Sequence, residues 1–175
     1  MRATFGFPSV LAISFLGLLV ITCLGCPSPP TPEELVRETF RTGLEYVKAG
    51  QYDKVWTLYS PEFRRVVSEG YRKQQVTVRG EMDKNSDWIQ EWVYRQFKVE
   101  PAELLKLTPE EMDARAMMAN RDLILGQKIV GNVLVEGEKA EAKILQPGSD
   151  SPARMEFILH NGRWLFHRRD FMPVK

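Results

Sequence analysis

The apolar residues of this chain change period once, near Gln127, and that switch governs what the chain can fold into. Before it they recur at three- and four-residue steps, as the buried stripe of an amphipathic helix does. After it they alternate, as on a strand with one face in water. Helices first and strands last predict an α+β fold, with N-terminal helices packed on a curved antiparallel sheet.

In the first half, Thr31-Pro32-Glu33-Glu34 has the Thr-x-x-Glu pattern of a capping box with proline in the first turn. Val36, Phe40, Leu44 and Val47 follow as one helical stripe that ends at Ala49-Gly50. A short helix is expected over Asp53–Tyr59. Ser60-Pro61-Glu62 opens another, with Phe63, Val66 and Val67 facing inward and Gly70 weakening or ending it. Gln75–Arg79 reads as a short strand or a loop. Ser86-Asp87 is the expected cap of a helix through Ile89, Trp92, Val93 and Phe97. Thr108-Pro109-Glu110-Glu111 repeats the first capping signature before Met112, Ala116, Met117 and Ala119.

In the second half, Ile129, Gly131, Val133 and Val135 alternate up to a turn at Glu136-Gly137. Ala140, Ala142 and Ile144 then alternate with Lys139, Glu141 and Lys143, a half-buried strand. Pro147–Pro152 is a loop, and Met155, Phe157 and Leu159 mark the third strand. Asn161-Gly162 predicts a tight hairpin, because both residues tolerate positive φ. Trp164–Phe171 completes a meander of about four strands.

The N-terminus is of another kind. Arg2 is the only charge before an apolar run, Val10–Leu24. That run falls short of the roughly 20 residues a membrane-crossing helix needs and suits the core of an export signal. It closes on Cys23-Leu24-Gly25-Cys26, which resembles the lipobox of bacterial lipoproteins, with Gly25 at the small position before the cut and Cys23 where leucine is usual. The resemblance implies that residues 1–25 are a signal peptide, that Cys26 becomes lipidated and that the mature protein is anchored to a membrane. The rival reading is an uncleaved signal-anchor, or a plain signal cut nearby. Four prolines among residues 27–32 favour an extended tether at about 3.1 Å per residue. In the lipoproteins of enteric bacteria an Asp after the lipidated cysteine retains the protein in the inner membrane. Pro27 therefore implies the outer membrane, periplasmic face.

Once residues 1–25 are gone, 23 basic side chains face 23 acidic ones, and no cysteine remains after Cys26. A neutral total offers no long-range field for nucleic acid, so such a partner is not expected. Thiol catalysis and cysteine-based zinc sites lack their residue. No Gly-rich phosphate loop, nucleophile elbow or His-x-x-x-His pair occurs, and no cofactor is implied.

Tyr46–Phe63 (YVKAGQYDKVWTLYSPEF) together with His160–Phe171 (HNGRWLFHRRDF) resembles the nuclear transport factor 2-like superfamily, cystatin-like α+β domains, and within it small exported lipoproteins of unknown function. Residues 33–175 would be one such domain, departing from the superfamily over Gln75–Leu125, which holds more helix than its single central one. Members wrap helices over a curved sheet and leave a conical cavity, used for binding or, in isomerase- and cyclase-type enzymes, for acid–base chemistry at an Asp, sometimes with His or Tyr. The fold alone does not choose between these. The anchor, the short tether, the resemblance to a superfamily rich in binding modules and the missing catalytic set together point to a membrane-tethered, non-enzymatic binding or accessory domain. Its partner is an envelope protein or a small apolar ligand, and the alternative is a small cavity enzyme of isomerase or cyclase type.

The candidate polar residues are His160, His167 and Asp170. His160 adjoins the hairpin turn and should be in water. His167 shares a strand face with Leu165, which lets it point inward, and strict alternation puts Asp170 on the opposite face. Trp56, Tyr59, Trp88, Trp92 and Trp164 are candidates to line a pocket, although large aromatics on amphipathic elements more often form plain core. Met112, Met117 and Met118 read as helix packing. Arg64, Arg65, Arg72 and Lys73, with Arg163, Arg168 and Arg169, read as solvated faces, with anionic headgroups as the rival partner.

Overall fold

Two capping boxes set the helical half in phase. In a computed structural model that describes residues 28–84 and 86–170, Glu34 accepts from the Thr31 backbone N–H at 2.7 Å while the Thr31 hydroxyl accepts from Glu34 N–H at 3.3 Å. Helix α1, Pro32–Lys48, grows from that cap and buries Val36, Phe40 and Val47. Helix α2, Tyr52–Thr57, buries Val55. The Ser60 hydroxyl then caps α3, Pro61–Asp83, by accepting from Phe63 N–H at 3.1 Å. Helices α4 (Trp88–Phe97) and α5 (Pro101–Leu104) follow. The second box, Thr108 with Glu111, starts α6, Pro109–Ala119, and α7 is Arg121–Leu125.

Four strands complete the order: β1 (Lys128–Glu136), β2 (Lys139–Leu145), β3 (Ala153–His160) and β4 (Arg163–Asp170), an antiparallel sheet in sequence order. Asn161 and Gly162 both take positive φ, 50° and 74°, in the β3–β4 hairpin. The expected α+β arrangement is therefore present. Two bulges interrupt the pairing, devices that bend a sheet. One lies between Val130 and Leu134. At the other, Phe157 pairs with Phe166 but Glu156 pairs with Arg168, which leaves His167 as the extra residue. Beside β4, Tyr59 forms an isolated parallel bridge to Phe166.

One face of the sheet meets the helices. Val36, Phe40 and Leu58 pack there on Ala142, Ile144, Phe157, Trp164 and Phe166. A second cluster takes nothing from the sheet: Val78, Ile89, Val93, Phe97, Leu104 and Met112 come from helices, and Val99 from the link between α4 and α5. A small third one joins Val47, Val55 and Met117.

Several sequence expectations need correction. Gly70 does not end its helix, because α3 continues through it and through Gly80 for 23 residues. Gln75–Arg79 is neither strand nor loop but a turn and more of α3. The Gln75 amide donates to the Leu104 and Leu107 carbonyls at 3.0 and 2.9 Å, and Val78 is 0% exposed, so tertiary packing overrides the β-branched run. Val66 faces solvent, since Phe63, Val67 and Tyr71 form the inward row at four-residue steps. Asp87 makes no side-chain capping bond, and Ser86 donates instead to Glu81 at 2.9 Å. The expected signal peptide, Cys26, Pro27 and Phe171 lie outside the described residues.

Candidate functional site

The inward row of α3 and the second and third turns of α6 face each other across a space that the side chains do not fill. A cavity of about 410 Å³ remains there, within the range of small-molecule sites. Phe63, Val67 and Tyr71 wall it from α3, and Asp113, Ala116 and Met117 from α6. Phe40, Gly43, Leu44 and Val47 of α1 form another wall, and Met155 and Phe166 bring in the sheet. Exposed residues, Asn120, Leu123 and Arg168, lie on its rim.

Most of this wall is apolar, which makes its polar members conspicuous. Asp113 is 7% exposed, and the Tyr71 hydroxyl donates to its Oδ1 at 2.9 Å. Burial pushes the Tyr71 phenol far above its ordinary range, and the neighbouring Asp113 carboxylate adds to the shift. Tyr71 therefore acts as a neutral hydrogen-bond donor at any physiological pH. Gln127, 6% exposed, also lines the cavity, as do Gln96 and Gln146.

Of the five aromatic and histidine candidates for a pocket wall, the cavity takes Tyr59. Trp164 is buried in the sheet core, 5% exposed. Trp56 packs on Tyr59 with the rings tilted and their centroids 5.5 Å apart, and Trp92 packs edge-on to Phe97 in the helical cluster. None of the three is in the wall. Trp88 is half exposed on the surface.

His167 turns away from the cavity because the bulge shifts its phase. Its Nδ1 lies 3.0 Å from the Ser60 hydroxyl and its Nε2 3.7 Å from Glu62. The Ser60 hydroxyl thus meets both the Phe63 N–H and the His167 ring. The result pins the start of α3 to β4. His160 is exposed at the turn, as expected, 3.3 Å from the Asn161 amide. Asp170 stands opposite Arg154 at the end of β4, and its side chain lies outside the described residues.

Asp113 and Tyr71 were not among the sequence candidates, yet each carries a signal. Asp113 occupies the apolar row of α6 with Ala116 and Met117, and a carboxylate on a buried stripe is costly unless hydrogen-bonded. Tyr71 continues the row Phe63, Val67 at four-residue steps.

Among the described residues no group of three or more His, Cys, Asp or Glu side chains is arranged to hold a metal, and no helix is long and apolar enough to cross a membrane. Fold and site together define an α+β domain with a mostly apolar cavity that holds a buried acid. In comparisons with known proteins, no family model, curated protein or solved structure matches the chain.

Proposed function

We propose that this chain is a cell-envelope lipoprotein, tethered through Cys26, whose single domain binds a small and largely apolar ligand without transforming it. The observation that carries the binding reading is the cavity of about 410 Å³, whose apolar wall is broken by a few polar groups. Such a lining extracts a ligand from water by its apolar part and orients it by its polar part. The resemblance to the nuclear transport factor 2-like superfamily agrees with helices preceding a four-strand meander, and with a space left between them. Outer-membrane placement rests on Pro27 and the lipoprotein pattern alone.

The cavity enzyme of isomerase or cyclase type has one observation in its favour, the buried Asp113 beside Tyr71. A carboxylate there has the position of a general base, with Tyr71 holding its orientation.

Titration with a neutral fluorescent naphthylamine separates these readings from a closed core. The domain should bind the probe at one saturable site, and Ala116→Trp, which fills the cavity from α6, should abolish it. No saturable binding, or equal binding by the variant, overturns the proposal. Turnover of a β,γ-unsaturated ketone that disappears in Asp113→Asn would favour the enzyme.

A further inference from the structure

The two glutamines that enclose the β1–β2 ladder join the fold's hydrogen bonding through their backbones and not their side chains: Gln127 N–H donates to the Ile124 carbonyl, and the Gln146 carbonyl accepts from Ser149 N–H. Lys128 pairs with Leu145 as the outermost residues of that ladder. Extending the antiparallel register by one residue sets Gln127 opposite Gln146, at the separation where cross-strand side chains interact. One residue further the chains touch: a Cβ on Gly126 would meet Pro147 Cγ at 2.2 Å, so no larger residue fits at Gly126 without a shift. The register is thus held at the position that matters.

Both glutamines line the cavity. Gln127 is more than nine-tenths buried, and Gln146 is half-buried. Among the described residues neither carboxamide meets a hydrogen-bonding partner. Neither carboxamide is sealed inside the protein: both open on the cavity, where a bound group can meet their donors and acceptors.

We propose that Gln127 and Gln146 read an uncharged carboxamide on the cavity's ligand, so that the ligand class is an apolar chain or ring bearing an amide. This rests on the binding reading above and specifies its polar end. A carboxamide offers two donor hydrogens and an acceptor oxygen. Two of them side by side are matched in full by a group that both donates and accepts. A ligand carboxylate accepts only, and it would enter a cavity that already contains Asp113. An ammonium group donates only, which leaves both glutamine NH₂ groups unmatched.

Displacement of the neutral naphthylamine by octanamide, octanoate and octylamine tests this, because the three share one apolar chain. Octanamide should displace the probe at a concentration about tenfold or more below either charged analogue, the weight of one or two net hydrogen bonds. Gln127→Leu should still bind the probe but lose the preference, and Gln146→Leu, at the less buried position, should reduce it. Equal displacement by all three, or a preference that survives both substitutions, overturns the amide assignment while the cavity reading stands. Strongest displacement by octylamine overturns it in favour of Asp113 as the reader. Failure of the probe to bind wild-type protein overturns both.

Discussion

Tyr71 and Asp113 stand 42 positions apart in the chain and join α3 to α6 through one hydrogen bond of 2.9 Å inside the cavity wall. A buried carboxyl group needs such donors, and removing one costs more than the bond's net contribution, because the group stays desolvated. Tyr71→Phe should therefore lower stability by about 1–3 kcal/mol in urea denaturation. Stability unchanged within error would show that water replaces the phenol.

The same residue predicts an alkaline dependence. Tyr71 holds its proton in the folded state well above the ordinary value of 10.0. Its contribution to stability is complete below pH 10 and declines above it, because the unfolded chain then binds fewer protons than the folded one. The advantage of wild type over Tyr71→Phe should shrink between pH 9 and pH 11. Absorbance of ionised tyrosine at 295 nm gives the direct check. While folded, the two proteins should show the same titration amplitude, although wild type has one tyrosine more.

Acid should act through the two capping boxes. The Thr31 and Thr108 backbone N–H groups bond Glu34 and Glu111, which lowers both carboxyl groups below 4.5. A lowered value means the contribution is present above pH 4.5 and is lost as pH falls through the folded value. Wild type should exceed the double variant Glu34→Gln, Glu111→Gln near pH 6 and lose that lead by pH 3. A lead that persists at pH 3 would place the effect in side-chain packing. Replacing Thr108 by Ala removes the cap itself and should cost about 0.5–2 kcal/mol in thermal or urea unfolding.

Those boxes also mark what was legible in the sequence. Thr31 and Thr108 signal their helices locally, and Asn161-Gly162 signals its hairpin, because each motif satisfies its own backbone within four residues. The alternation of Ala140, Ala142 and Ile144 is local too, and the sheet follows it. Gln75–Arg79 was illegible for the opposite reason. Its helical state depends on Leu104 and Leu107, about thirty residues away, which accept from Gln75. His167 was misphased because a bulge leaves no mark in a period-two pattern. The cavity was hidden because it lies between α3 and α6, whose mutual placement no local motif encodes.

The helical cluster around Leu104 provides a test of how far the fold is cooperative. Leu104 is 0% exposed, and its neighbours Val78, Val93 and Met112 come from α3, α4 and α6 rather than from the sheet. Leu104→Ala should cost about 2–5 kcal/mol, as such cavities usually do. Hydrogen exchange should show the loss first in α4 and α6, with β2 and β3 protected longer. A uniform loss across helices and sheet would show that the two clusters open as one.

The anchor proposal separates from the fold at Cys26. The first residue buried among those described is Val36, and α1 takes its cap from Thr31, so nothing described before that cap supports the core. Cys26→Ala should therefore give a domain with the same thermal midpoint as wild type. It should nevertheless fail to incorporate a labelled fatty acid and should leave the membrane pellet, since no described helix is long and apolar enough to hold it there. Two acyl chains or more would hold the wild type firmly, at roughly 0.8 kcal/mol per buried methylene. A variant that stays in the pellet through a high-salt wash, with residues 1–25 still attached, would establish a signal-anchor. If wild type and variant are equally unlabelled and equally free of the membrane, Cys26 carries no lipid and the envelope reading falls. Ligand binding in the cavity is unaffected by either result, because every residue of its wall lies beyond Thr31.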